Sequence, residues 1–138
     1  MIRAAALATE ARAWVGVPYV HQGRTRFGVD CIGLIICVRQ ALGPWLGVEL
    51  EPRNYRRVPT DGLLEQRIAE HCTQLERPED GCVILIRWPR TAHASHAAFY
   101  FGGHIIHAYK QLRAVIETGY RAQWVRDTVS LWRLPGVA

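Results

Sequence analysis

The residues best suited to chemistry are one cysteine and a pair of histidines. Cys31 follows Asp30 and leads into an apolar run, Ile32, Leu34, Ile35, Ile36, Cys37 and Val38. Asp is a favourable helix N-cap, because its carboxylate accepts from the unpaired N–H groups of the first turn. Cys31 then occupies the first helical position, where the helix dipole and free N–H groups favour a thiolate over a thiol. The setting suits a nucleophile, and it equally suits an ordinary buried cysteine. A cysteine nucleophile needs a base within hydrogen-bond reach and a third group to orient that base. Six histidines are available, at positions 21, 71, 93, 96, 104 and 107. Gly102-Gly103 is a two-residue hairpin signal. A register with Phe101 opposite His104 sets Ala98 opposite His107 and His96 opposite Tyr109. Alternation then places His96, Ala98, Tyr100, Ile105, His107 and Tyr109 on one face. His96 and His107 become diagonal neighbours, roughly 7 Å apart at the backbone, with the small Ala98 leaving the gap between them open. That is the relation of a base to its orienting partner, and a slip of one residue would undo it. His104 falls on the opposite face and His93 in the loop before the strand, where both read as solvated side chains.

The elements that must hold these residues are legible from periodicity. Residues 2–15 read as an Ala-rich helix with Leu7, Ala11, Trp14 and Val15 near one face, ended by Gly16 and Pro18. Residues 16–29 form a loop with three glycines and a proline, a composition that lets backbone approach a ligand closely. The central helix runs from about 31 to 42, stops at Gly43-Pro44, and is apolar enough to be buried on more than one face. Residues 43–60 read as irregular, 61–72 as an amphipathic helix on Leu63, Leu64, Ile68 and Cys72, and 73–81 as a turn-rich link. From there the period changes to two, with strands expected at 82–88, 95–101, 104–109, 113–118 and 128–134. Helices followed by consecutive strands indicate an α+β fold with an antiparallel sheet of about five strands.

At 138 residues the chain is expected to form one domain with a real core. It is 49% hydrophobic and 21% charged, with net charge +5 and a pI near 9.4. A basic balance suits an anionic partner such as a nucleic acid, a membrane surface or an anionic cell wall. No run of basic residues or nucleic-acid motif is present, so no nucleic-acid partner is expected. No stretch is long enough to span a bilayer, and no membrane partner is expected. Glu10 and Arg12 interrupt any signal-peptide core, so synthesis without export by the usual route is expected. Cys31, Cys37, Cys72 and Cys82 read as reduced thiols, with Cys37 pointing away from Cys31 into the core. Trp45, Trp88, Trp124 and Trp132 read as packing residues. Tyr109, on the same face as the two histidines, could line a cleft or simply pack.

Three segments together resemble the NlpC/P60 family of cell-wall cysteine peptidases, which have a papain-like fold. Trp14-Val-Gly-Val-Pro-Tyr19 is similar to the family's W-x-G-x-P-Y motif. Asp30-Cys31-Ile32-Gly33-Leu34 is similar to its D-C-S-G-L motif around the nucleophile. His96-Ala-Ala-Phe-Tyr-Phe-Gly102, with Ile106-His107-Ala108, is similar to its H-V-G-I-Y-x-G and I-H-A segments. The resemblance covers most of the chain, in the family's order. It implies Cys31 as nucleophile, His96 as base, His107 as the residue orienting the imidazole, and Tyr19 and Asp30 at the substrate, where Tyr109 is a candidate only through the face it shares with the histidines. It implies a backbone oxyanion hole that includes the Cys31 N–H, hydrolysis of peptidoglycan stem peptides at a D-glutamyl–diaminopimelate type bond, and no cofactor. Two departures stand out. Ile32 replaces a serine that, with the preceding aspartate, helps the family hold a stem peptide's free amine. Glu79-Asp80-Gly81 stands where many members have Pro-Gly-Asp. The short form and the D-C-I-G-L sequence are similar to members found in phage tails and gene-transfer-like particles. That likeness implies tail-tip proteins as partners and residence in such a particle.

Other functions remain open to these residues. A non-catalytic tail adaptor could keep the fold, and an amidase or acyltransferase could use the same Cys and His. A zinc site would draw on His71-Cys72, His93-x-x-His96 or His104-x-x-His107. The last pair straddles two faces of a strand, no C-x-x-C knuckle exists, and no metal is expected.

Overall fold

The structure, a computed structural model, describes residues 1–44 and 62–138. The expected irregular stretch, including Trp45, and Asp61 at the start of the expected second helix lie outside the described residues, apart from Gly43 and Pro44. Helix α1 (Ala4–Arg12) presents Leu7, Ala8 and Ala11 to the core. It stops three residues earlier than the periodicity implied. Trp14 still packs inward at 5% exposure, whereas Val15 turns out to solvent at 46%. Short strands β1 (Arg24–Thr25) and β2 (Gly28–Val29) pair within the glycine-rich loop. Helix α2 (Cys31–Ala41) follows, with Gly33, Leu34, Ile35, Ile36, Val38 and Arg39 all buried. Each fully buried Leu or Ile contributes about 1.5–3 kcal/mol, and the spread of these positions around the helix accounts for its central place. Helix α3 (Leu63–His71) buries Leu64 and Ile68.

The remaining strands form one six-stranded antiparallel sheet. They are β3 (Thr73–Leu75), β4 (Val83–Ile86), β5 (His96–Phe101), β6 (His104–Tyr109), β7 (Ala114–Gly119) and β8 (Thr128–Arg133). A short helix, α4 (Gln123–Arg126), joins β7 to β8. The order across the sheet is β3-β8-β4-β5-β6-β7. The expectation of about five strands missed β3, because Thr73-Gln74-Leu75 has no apolar alternation. It is an edge strand held by pairing with β8 along Leu131 to Arg133, and polar residues are normal at an edge. Alternation divides the sheet into two apolar faces. Val83, Leu85, Ala97, Phe99, Ile106 and Ala108 join the helices in the larger core. Ile84, Ile86, Ala98 and Ile105 form a second cluster on the other face, against which Trp124 and Tyr120 pack.

The β5–β6 hairpin has the expected register. Phe101 pairs with His104, Tyr100 with Ile105 and Phe99 with Ile106. Gly102 and Gly103 carry φ of +54° and +83°, the left-handed pair that a tight hairpin turn requires and that glycine adopts without strain.

Candidate active site

The site is built on the junction between the glycine-rich loop and α2. Asp30 caps the helix, its Oδ1 accepting from the Gly33 N–H at 2.8 Å. Its Oδ2 accepts from the Gln22 N–H at 2.8 Å, and Arg24 Nη1 lies 3.2 Å from Oδ1. The Asp30 side chain, at 1% exposure, therefore ties the loop to the helix tip. Tyr19 forms a parallel bridge with Val29, and its N–H donates to the Arg113 carbonyl at 2.9 Å. It thus flanks the residue before the cap. Cys31 is the first residue of α2, packed on the core side of β5. The backbone N–H groups of Ala97, Ile32 and Cys31 itself favour the anionic form of its sulfur.

The hairpin supplies the imidazoles. His96 begins β5, β6 carries His107, and both are buried, His107 completely. His96 Nε2 and His107 Nδ1 are 2.6 Å apart. For His96 to accept a proton at Nδ1, its Nε2 must carry hydrogen and donate to His107 Nδ1. His107 then carries its own hydrogen on Nε2. That nitrogen is buried and has no hydrogen-bond partner among the described residues, an arrangement costing about 1–3 kcal/mol. Aromatic rings enclose the pair. Trp88 stacks on His96 with ring centres 5.0 Å apart, Tyr109 stacks on His107 at 5.1 Å, and Trp124 meets His107 edge-on at 5.1 Å.

Burial sets the protonation states. His107 is pushed down to about 4 by loss of solvent. His96 is held well below the usual imidazole range by burial and by its neighbour His107. Both rings are therefore neutral at pH 7. The Cys31 thiol is pushed up to about 12, first by burial and then by the charge of Asp30, and the three backbone N–H groups only partly offset this. The expectation that a helix N-terminus would leave Cys31 a thiolate is thus corrected. The carboxylate that caps the helix raises the thiol further, and desolvation outweighs the dipole. The resting site pairs a neutral thiol with a neutral imidazole, so the proton must leave sulfur as the sulfur attacks.

The NlpC/P60 family profile matches residues 16–133. The chain belongs to the NlpC/P60 family. With it comes membership of the cysteine peptidases, the enzyme class expected from the motifs around Cys31 and His96. No curated protein matches the chain. Among solved structures it is similar to an NlpC/P60 family protein from Bacillus cereus, with TM-score 0.69 and 20% identity over 95% of this chain and 40% of that one. It is similar to the NlpC/P60 domain of the peptidoglycan hydrolase SagA, with TM-score 0.67 and 22% identity over 96% of this chain and all of that domain. It is also similar to the peptidoglycan hydrolase RipB of Mycobacterium tuberculosis, with TM-score 0.59 and 16% identity over 94% of this chain and 63% of that one. The chain thus spans about two fifths of the Bacillus protein and the whole of the SagA domain.

Within the NlpC/P60 frame the structure brings His96, His107 and Tyr109 into direct contact and sets Cys31 against Ala97, the residue after His96. Trp88 and Trp124, expected only to pack, prove to be walls of the imidazole pair, while Trp132 is a buried core residue. Pairing of β4 with β5 at Ile86 and His96 could have placed Trp88, two residues beyond Ile86, near the imidazole. His104 is exposed at the start of β6 with Nδ1 3.2 Å from Glu117, and His93 sits 3.7 Å from Glu65. All four cysteines are free, and Cys37 Sγ donates to the Arg24 carbonyl at 3.3 Å. Among the described residues no three His, Cys, Asp or Glu side chains converge as metal ligands would, and no helix is long and apolar enough to cross a membrane.

Proposed function

We propose that this domain hydrolyses amide bonds in peptidoglycan stem peptides, with Cys31 as nucleophile, His96 as acid and base, and His107 holding the imidazole. The observation that carries the reading is the buried His96–His107 hydrogen bond of 2.6 Å. It engages Nε2 of the base, so Nδ1 is the nitrogen assigned to take the Cys31 proton. In the first step the sulfur attacks the amide carbonyl carbon while its proton passes to His96. The carbonyl electron pair moves to oxygen, where the N–H groups at the start of α2 supply donors. His96 then gives its proton to the departing amine, leaving a thioester. Water, deprotonated by His96, displaces Cys31 and releases the acid. The imidazolium formed on the way is the costly species, since burial disfavours it. The faces of Trp88 and Tyr109 against the two rings offset part of that cost.

The substrate reading draws on the family, on the activity named for SagA and RipB, and on the net charge of +5. A D-glutamyl–diaminopimelate type bond is the proposed target. The proposed setting is a phage tail or tail-like particle, supported by the likeness of Asp30-Cys31-Ile32-Gly33-Leu34 to short tail-borne members.

The test is incubation of the purified protein and its Cys31→Ala variant with peptidoglycan and released stem peptides, read by mass spectrometry. A new amine end made by the wild type and reduced about a thousandfold or more in Cys31→Ala is expected. Equal cleavage by both would remove Cys31 from the mechanism. Absence of cleavage by the wild type on every wall substrate would remove peptidoglycan as the target.

A further inference from the structure

The 2.6 Å contact between His96 and His107 can be made in two ways. Either His96 Nε2 carries the hydrogen and His107 Nδ1 accepts it, or the reverse. A neutral imidazole holds one hydrogen, so each choice fixes the rest of both rings. In the first, His107 carries hydrogen on Nε2 and His96 Nδ1 is a free base. In the second, His107 Nε2 is bare and a hydrogen blocks His96 Nδ1. The two arrangements make the same bond, so that bond does not choose between them. The choice falls to what His107 Nε2 faces. That nitrogen belongs to a fully buried side chain and finds no hydrogen-bond partner among the described residues. Strand β6 lies between β5 and β7, and His107 pairs with Ile116 of β7. The two nitrogens of an imidazole point in well-separated directions. With Nδ1 turned to His96 on β5, Nε2 is left to the side of β7 and of α4, which follows it. Trp124 comes from α4. Its ring is nearly perpendicular to His107 and to Tyr109, at 82° and 77°, and almost equally far from each, at 5.1 and 5.3 Å. Those two rings stack on one another, so the indole stands beside the stack, where ring edges meet it. The backbone there is held, because the Trp124 carbonyl accepts from Thr128 Oγ1 at 2.8 Å and the Asp127 carbonyl from the Arg87 N–H at 2.9 Å.

We propose that Trp124 is a positioning residue that selects the tautomer of the imidazole pair: its indole face takes the Nε2 hydrogen of His107, which keeps His107 Nδ1 an acceptor and leaves His96 Nδ1 free to take the Cys31 proton. This rests on the reading of His96 as the base. The physical reason is the charge distribution of an aromatic ring. Its face is electron-rich, so it attracts an N–H and repels a nitrogen lone pair. Only the tautomer that serves the reaction puts an N–H there. The other two walls do not discriminate in this way. Trp88 stacks on His96 at 21° and Tyr109 on His107 at 29°, so each covers the flat of an imidazole, whereas the hydrogen and the lone pair lie in its plane.

The experiment is nitrogen-15 NMR of the histidine rings in the full chain at neutral pH, where bare and hydrogen-bearing ring nitrogens give separate signals. In the wild type His107 is expected to carry hydrogen on Nε2, and His96 to show a bare Nδ1. The His107 Nε2 hydrogen is expected to be shifted upfield by the ring current of the indole. Trp124→Phe keeps an aromatic face and is expected to keep the wild-type tautomer. Trp124→Leu keeps an apolar side chain without a face. In it the population with bare His107 Nε2 is expected to rise about two- to fivefold, the factor that one N–H···π contact supplies. A bare Nε2 on His107 in the wild type, or a Nε2 hydrogen without the ring-current shift, would overturn the proposal. So would a Trp124→Leu chain, folded by circular dichroism, with the wild-type tautomer ratio. Should Trp124→Leu not fold, the wild-type spectrum decides. Because the spectra need no substrate, failure to cleave peptidoglycan would strike the proposed function and leave this result standing.

Discussion

Acid should unfold this protein through its buried imidazole pair, in a pH range where few other groups contribute. His107 is completely buried and neutral, with its value pushed from 6.5 to about 4. An unfolded chain takes up a proton at that ring as pH falls below 6.5, while the folded chain resists until about 4. The unfolded state therefore binds more protons across this window, and stability falls as pH falls. At about 1.4 kcal/mol per pH unit, the gap amounts to roughly 3 kcal/mol from His107 alone. His96 is depressed in the same direction and adds to it. Glu79 and Glu117 are held below the ordinary carboxylate range by hydrogen bonds to Arg133 and Arg12. The stability they contribute is fully present above 4.5 and is lost only below it, so pH 6.5 to 4.5 isolates the imidazoles. The assay is urea denaturation followed by tryptophan fluorescence at pH 7.5, 6.5, 5.5 and 4.5. The wild type should lose about 2–3 kcal/mol or more by pH 4.5. His107→Gln, which can still accept from His96 Nε2 but cannot titrate, should show a clearly shallower slope whatever its stability at pH 7.5. A flat wild-type profile, or equal slopes in the two proteins, would refute the assignment of a buried neutral pair.

The orienting role of His107 predicts that His107→Ala lowers kcat by about ten- to a hundredfold, within the range that general acid–base help supplies; unchanged kcat would show that the 2.6 Å bond does not serve the reaction. Gly33→Ala separates close packing from helix propensity. An exposed helical Gly→Ala change would stabilise by about 1 kcal/mol, but here the new Cβ meets the Gly23 carbonyl oxygen at 2.1 Å. Destabilisation by about 2 kcal/mol or more is expected, seen as a fall in Tm of roughly 5 °C or more, and a rise in Tm would show that the loop moves aside freely.

The hairpin shows why so much of the site could be read from the chain. Two glycines fixed the turn, the turn fixed the register, and the period of two carried His96 and His107 onto one face. No long-range information was needed, because residues eleven positions apart are local once the turn is known. The place of Cys31 at a helix start was legible for a similar reason, since Asp30 as cap and the apolar run after it locate that start from neighbours alone. What escaped the sequence depends on contacts between distant segments. Strand β3 exists because β8 returns beside it, not because Thr73-Gln74-Leu75 favours extension. Trp124 reaches His107 from α4, seventeen residues along the chain, through a connection in which Ala122 takes a φ of +45° that no side-chain pattern announces. The protonation state of Cys31 escaped for the deepest reason. Position at a helix N-terminus is a local property and favours the anion, whereas burial is a property of the finished fold and opposes it more strongly. Asp30 could be named in the sequence as the helix cap, but that its carboxylate is itself buried, at 1% exposure, required the finished fold. The local sequence therefore specifies where the helix begins, and the loop packed against Gly33 specifies what surrounds its tip.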